Sequence, residues 1–281
     1  ATTAATSLTL NATKALARTT AEATDDKLTS VTVTGSDAVT LTNIGAANTN
    51  ALASVVVSAA KAVSLGTIGA DSTKLATVTV SNTTGTSGVG AIGAATNTEV
   101  LTASVTSAGA ITGGGVNSTK LGDVTFTSTG GAASTGAIGS SATQIGNVTV
   151  STKGDATLGL IGNATAAATA VGTISVTSTT GNVKLADTNS IDVKDATGLT
   201  VNLTGKTYIG GTSTPGTTVA VINNEGAITA SLAGTAKALV NYAVATKAAG
   251  VNLTASNTGG LSSKITNNGT AAAGTTSTIS L

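Results

Sequence analysis

Cysteine, histidine, methionine and tryptophan are missing from all 281 positions of this chain, and proline occurs once. Without cysteine there are no disulfides and no thiolate metal sites, and the lack of unpaired thiols is compatible with export. Without histidine or cysteine, the titratable groups left for acid–base or nucleophilic chemistry are carboxylates, lysines, Tyr208 and Tyr242. Aromatic residues make up 1% of the chain, too few for an ordinary globular core, where they supply much of the buried area. Charge is scarce as well, at 9% with a net value of +1. The basic residues stand singly, so no electrostatic footprint for nucleic acid or anionic lipid is present and neither partner is expected. No apolar run nears the roughly 20 residues of a membrane-spanning helix, so no membrane insertion is expected, and no stretch reads as a signal peptide. An Ala in first place and the lack of Met are what a processed chain or a fragment would present.

What remains is 40% hydrophobic, drawn from Ala, Val, Leu and Ile, with 35 Gly and abundant Thr. That apolar fraction is too high for disorder, and β-branched residues suit a pleated, half-buried surface. The phrase "KLTSVTVTGSDAVTLTNIGA" at 27–46 returns in degraded form down the chain. Leu28, Leu52, Leu75, Leu101, Leu121, Ile145 and Val171 open successive units about 24 residues apart, within the range of solenoid periods. Each opener precedes an alternating run such as "VTV" at 31–33, "VVV" at 55–57, "VTF" at 124–126 or "ISV" at 174–176. Period-two alternation places the aliphatic members on one face and Thr or Ser on the other.

A second marker, Ile44, Ile68, Ile92, Val116, Ile138 and Ile161, is nearly always followed by Gly and reads as a corner, because Gly tolerates positive φ. Shorter runs such as "AVTL" at 38–41 and "ATLGL" at 156–160 lie between the two markers. A unit this small cannot bury its own apolar face, so neighbours must stack and share a core. The predicted fold is all-β: a parallel β-solenoid, or β-helix, in which Val, Ile, Leu and Ala ladders fill a narrow interior. Phe126 points inward and demands a locally wider coil. The regular solenoid is expected over 25–198. Residues 199–281, where the register loosens and Pro215 interrupts, read as irregular coils or a small β-domain. Residues 1–24 read as a cap or assembly segment, with the Ala-rich "NATKALARTTAEATDDK" a candidate capping helix over an open end.

Solenoid enzymes of the pectate-lyase or glycosidase kind gather Asp or Arg on one face. Here Asp37, Asp71, Asp123 and Asp155 fall at different places in their repeats, and no enzyme is expected. Calcium, a cation that prefers oxygen ligands, is the one candidate cofactor. Asp25 with Asp26, and Asp187 with Asp192 and Asp195, could each hold an ion with help from carbonyls; the plainer reading makes them solvated turn residues. The Gly/Asp nonapeptide of calcium β-rolls is absent. Outward positions form a Thr/Ser file, Thr32, Val56, Thr79, Thr125, Thr149 and Ser175, beside Thr34, Ser58, Ser81, Thr127, Ser151 and Thr177. Such a file resembles the water-ordering rows of ice-binding solenoids, though outward Thr is ordinary on any exposed strand. Asn-x-Thr sequons at Asn82, Asn147, Asn163 and Asn252 are what this composition produces by chance.

The phrase "LTSVTVTGSDAVTLTNIG", the Thr, Ala and Gly excess and the Leu-opened coils resemble the solenoid portions of bacterial surface-layer (S-layer) proteins and related repeat-rich secreted exoproteins, including large adhesins. The resemblance covers roughly 25–198. It implies an extracellular or cell-surface location, self-association into a lattice, sheath or filament, and often calcium. The alternative it leaves is an adhesin stalk that binds glycans or cells.

Overall fold

A computed structural model describes residues 5–18, 27–45, 51–162, 168–186, 190–194 and 198–206, together with strands at 208–211, 220–224, 228–234, 239–246, 251–257, 262–267 and 278–280. Among them there is no helix, and every strand pairing is parallel. The chain is an all-β parallel solenoid. Each coil contributes one longer strand to a wide sheet and one short strand to a narrow sheet; each sheet holds 14 strands among the described residues.

The wide sheet stacks the alternating runs in strict register. Val31 lies on Val55, Val55 on Val78 and Val78 on Ala103, while Val124, Val148, Ile174 and Val201 continue the file. A parallel column runs through Val33, Val57, Val80, Val105, Phe126 and Val150. These side chains are 0–1% exposed. Burying each fully contributes about 2 kcal/mol of transfer free energy, which no isolated coil could collect. The unit openers Leu28, Leu52, Leu75, Leu101, Leu121 and Ile145 are likewise buried, and Val171 packs against the core from its edge.

A third side is one residue wide. Ile44, Ile68, Ile92, Val116, Ile138 and Ile161 form a ladder of single parallel bridges. Five of the six are followed by glycine, Val116 being followed by Asn117: Gly45, Gly69, Gly93, Gly139 and Gly162 all adopt positive φ, between 66° and 84°, and turn the chain there. A side chain there would be strained, and at Gly93 a Cβ would also come within 2.3 Å of the Asn117 carbonyl oxygen in the next coil. The corner is tied in both directions, as the Ile68 N–H donates to Ala91 O at 2.8 Å and the Gly93 N–H to Ile68 O at 2.8 Å.

Phe126 is 1% exposed, and the space comes from small residues in the facing column of the narrow sheet. There Leu41, Leu65 and Val89 stack in register, then Gly113 takes the next place, and Thr135 and Leu158 follow in the next two coils. A Cβ on Gly113 would lie 2.9 Å from the Phe126 ring. A glycine opposite the ring thus leaves it the room that a larger side chain would take.

At the N-terminus the expected capping helix does not form over the described residues. Ser7–Ala12 and Leu16–Arg18 are strands that pair with Ser30–Gly35 and Val39–Leu41. The reason lies in "SLTLNA": Leu8 and Leu10 alternate, fall in register with Val31 and Val33, and pack against the core. The core ladder outweighs the helical preference of the alanines that follow. Beyond Gly198 strands continue both sheets, with Leu199–Gly205, Ile228–Gly234, Val251–Asn257 and Thr278–Ser280 added to the wide one. The short strand and the third side then fuse: Leu239–Thr246 pairs through its start with Tyr208–Gly211 and through its remainder with Ala220–Asn224.

Candidate functional site

Of the five aspartates considered as metal ligands, Asp25, Asp26, Asp187 and Asp195 lie outside the described residues. Asp192 is described, 3% exposed, in the short strand Ile191–Asp192, with its backbone in register between Gly162 and Asn223. Among the described residues no group of three or more His, Cys, Asp or Glu converges. The carboxylates of the turns act instead as braces between coils. Asp37 Oδ2 accepts from Lys61 Nζ at 3.1 Å, and Asp155 Oδ2 from Lys184 Nζ at 2.7 Å. A hydrogen bond from the Ala38 N–H, then that from Lys61, holds the Asp37 carboxyl below its ordinary range. For Asp155 burial pushes the pKa upward, yet the bonds from Lys184 and the Asn182 N–H, with the lysine charge, bring it below the ordinary value. Asp123 Oδ1 accepts from the Asn147 N–H at 2.9 Å and from its Nδ2 at 3.0 Å.

A further set of spacings carries structure that the repeat phrasing hides. Gly66, Gly90, Gly114, Gly136 and Gly159 follow the short strands one per coil, and a Cβ on any of them would meet backbone of the preceding coil within 2.7 Å. Asn43 Oδ1 accepts from both the N–H and Oγ1 of Thr67 at 2.8 Å, and Asn117 Oδ1 accepts from the Ser141 N–H at 3.0 Å. Each pair is separated by 24 residues, so the coil period itself is the signal that finds them. The sequon residue Asn82 is 6% exposed, with Nδ2 donating to Ser87 Oγ at 2.9 Å.

The outward face of the wide sheet is the most regular surface feature. Thr32, Val56, Thr79, Ser104, Thr125, Thr149 and Ser175 form one column in register, and Thr34, Ser58, Ser81, Thr106, Thr127, Ser151 and Thr177 form the next. Neither column contains a charge. Ser104, which interrupts the phrase in sequence, sits in file because Ala103 takes the inward place of a valine. Hydroxyls elsewhere are engaged with the preceding coil: Thr83 and Thr84 donate to Ala60 O at 2.9 and 2.7 Å, Thr119 to Asn97 O at 2.7 Å and Thr143 to Thr119 O at 3.0 Å. Within the columns only Thr34 donates to a protein atom, Asn11 Oδ1. The other column hydroxyls make no bond to protein and are left to water. Two shallow grooves border the second column, one of about 520 Å³ lined by Asn11, Thr34, Ser36 and Ser58, the other of about 440 Å³ lined by Thr127, Ser151, Lys153 and Thr180.

Comparison with protein-family models, with curated proteins and with solved structures finds no match to this chain. Function has to be argued from the coil and its surfaces.

Proposed function

We propose that this chain is a structural, non-enzymatic subunit of an extracellular surface layer, sheath or filament, built by association of copies of itself. The observation that carries the reading is the unbroken parallel ladder: two sheets with shared aliphatic columns run through the described coils, and among the described residues Ser7–Ala12 pairs only with Ser30–Gly35. A strand paired on one edge offers backbone donors and acceptors on the other, and a second copy supplies a strand of matching pattern. Low charge and a net value of +1 reduce repulsion between like subunits packed side by side. The resemblance to surface-layer solenoids supports the same reading and the extracellular location, with calcium as the candidate ion.

The test is electron microscopy of the purified chain, with and without calcium. Ordered sheets or filaments are expected, and Thr9→Pro in the open strand should prevent them, because proline has no N–H to donate to an added strand. Discrete particles at every concentration would overturn the reading. The second reading, an adhesin stalk, draws on the hydroxyl-lined grooves beside the wide sheet. Its mark would be discrete particles that adhere to a glycan array.

A further inference from the structure

We infer that the outward face of the wide sheet binds ice, holding an ordered water layer that matches the crystal surface. Parallel strands set neighbours within a column about 4.8 Å apart, and residues two apart along a strand set the columns about 6.7 Å apart. A lattice of this size is close to the repeat of a prism face of ice. Each threonine presents a γ-methyl and a hydroxyl: methyls order water around themselves without anchoring it, and hydroxyls fix that water to the protein. Val56, the one non-hydroxyl member of the first column, keeps the methyl. Three observations set this face apart from ordinary exposed strand. The register is kept from Ser30–Gly35 to Ile174–Ser178, there is no charge to impose an ion-centred shell, and beyond Thr34 the hydroxyls have no protein partner to turn them from water. The narrow sheet is the internal contrast. Its outward side is a single column, Thr40, Ser64, Gly88, Thr112, Ser134 and Thr157, which breaks at the glycine and ends against Lys184.

The experiment measures thermal hysteresis and ice-crystal shaping with the full chain. The wild type is expected to arrest growth between melting and freezing points and to facet the crystal. Thr125→Lys with Thr149→Lys should abolish both, because the charges sit in the middle of the columns, while Thr125→Val should keep them by retaining the methyl. Ser134→Lys with Thr157→Lys, on the narrow sheet, should behave as wild type. Far-UV circular dichroism and thermal melting confirm that each variant is folded. Absence of hysteresis and faceting in the wild type overturns the inference, as does equal loss in the wide-sheet and narrow-sheet variants. Light scattering supplies a further arm: if Thr125→Lys with Thr149→Lys separates an associated protein into monomers and ice growth never responded, the face belongs to a second copy and the inference fails.

Discussion

Between Leu28 and Gly162 every coil has three sides, whereas by Leu239–Thr246 it has two, and the residue after the ladder position differs between most coils of the two regions. The isoleucine ladder of the third side does not stop at Ile161; it continues through Ile191, Ile222 and Val244. What changes is its companion, from Gly162 to Asp192, Asn223 and Ala245. A glycine at positive φ lets the chain turn directly after the bridged residue, although Gly162 already pairs with Asp192 as the ladder begins to lengthen. A residue with a Cβ prefers to continue as strand, and the single bridge grows into Ile191–Asp192, then Ala220–Asn224, then Leu239–Thr246. Corner glycine goes with the three-sided coil at five of its six bridged positions; at the sixth, Asn117 follows Val116 and the bridge stays single.

The largest expected effect lies where the regular coils are most tightly filled. Phe126→Ala removes a fully buried ring from a column closed above and below by Val105 and Val150, and should destabilise by about 3–5 kcal/mol in urea unfolding. Gly113→Ala should cost about 1–3 kcal/mol in the wild type through contact with that ring, and much less in a Phe126→Leu background. A double-mutant cycle without coupling would show that the ring's space comes from elsewhere.

Next in size is a transplant of the later coils' corner into the regular ones. Gly93→Asn puts at φ 70° the residue type of position 223 and of the adjacent corner at 117, with a Cβ driven into the Asn117 carbonyl, and should cost about 2–3 kcal/mol. Gly139→Asn makes the same change at φ 72°, but its Cβ meets the tip of the Ile145 side chain, which can rotate away; about 1 kcal/mol is expected. Equal losses at the two sites would mean that backbone conformation alone, and not the approach of the next coil, fixes the corner.

Much of this was legible in the chain because solenoid order is local order repeated. The stacking of Val31, Val55, Val78 and Val148 followed from alternation plus period, and the Ile-Gly corner from a residue that only a turn requires. The stretch 11–27 reads as a candidate helix because one coil with charged and Ala-rich turns has too few alternating positions to outweigh composition; over its described part, 11–18, it is strand and bend, and only the neighbouring strand discloses Leu8 and Leu10 before it as members of the ladder. The fused strand of the later coils was not legible, since loss of a glycine does not say where the chain goes instead. The room for Phe126 was hidden for a related reason: Gly113 and Phe126 are 13 positions apart and meet only across the coil. Of the aspartates weighed for metal, Asp192 alone falls within the described residues, at the position where glycine gives way.

Smaller still, and of opposite sign, is a change that makes the regular coils more uniform. Thr135 stands in the aliphatic column between Gly113 and Leu158, 6% exposed, and its Oγ1 is the one buried side-chain polar atom without a partner among the described residues. A hydroxyl buried without a hydrogen bond costs more than it returns. Thr135→Val keeps the shape and should stabilise by about 1 kcal/mol, read as a higher denaturation midpoint. Destabilisation would place a water on that oxygen and make it part of the packing around Phe126.

The smallest effect sits at the junction of the two regions. Lys184, in the strand opposite Thr157, reaches back to Asp155 across a coil in which Ala156 pairs with Val183, whereas Lys61 lies level with Asp37 in a coil in which Val39 pairs with Val63, so the pair spans one of the lengthened coils. The Asp155 pKa is lowered in the folded state, and the pair therefore stabilises at pH values above the ordinary 3.8 and loses that contribution as pH falls through the lowered value. With 36% of the Asp155 side chain exposed, solvent screens the attraction and no more than about 1 kcal/mol is at stake. Asp155→Asn should accordingly melt below the wild type from pH 7 down to pH 5 by a small constant margin. The margin should close once the wild-type carboxylate is protonated, and 1 M salt should narrow it at neutral pH. A margin that persists in acid would assign the role of Asp155 to the hydrogen bond from the Asn182 N–H, which an asparagine oxygen only partly replaces, and not to the charge of Lys184.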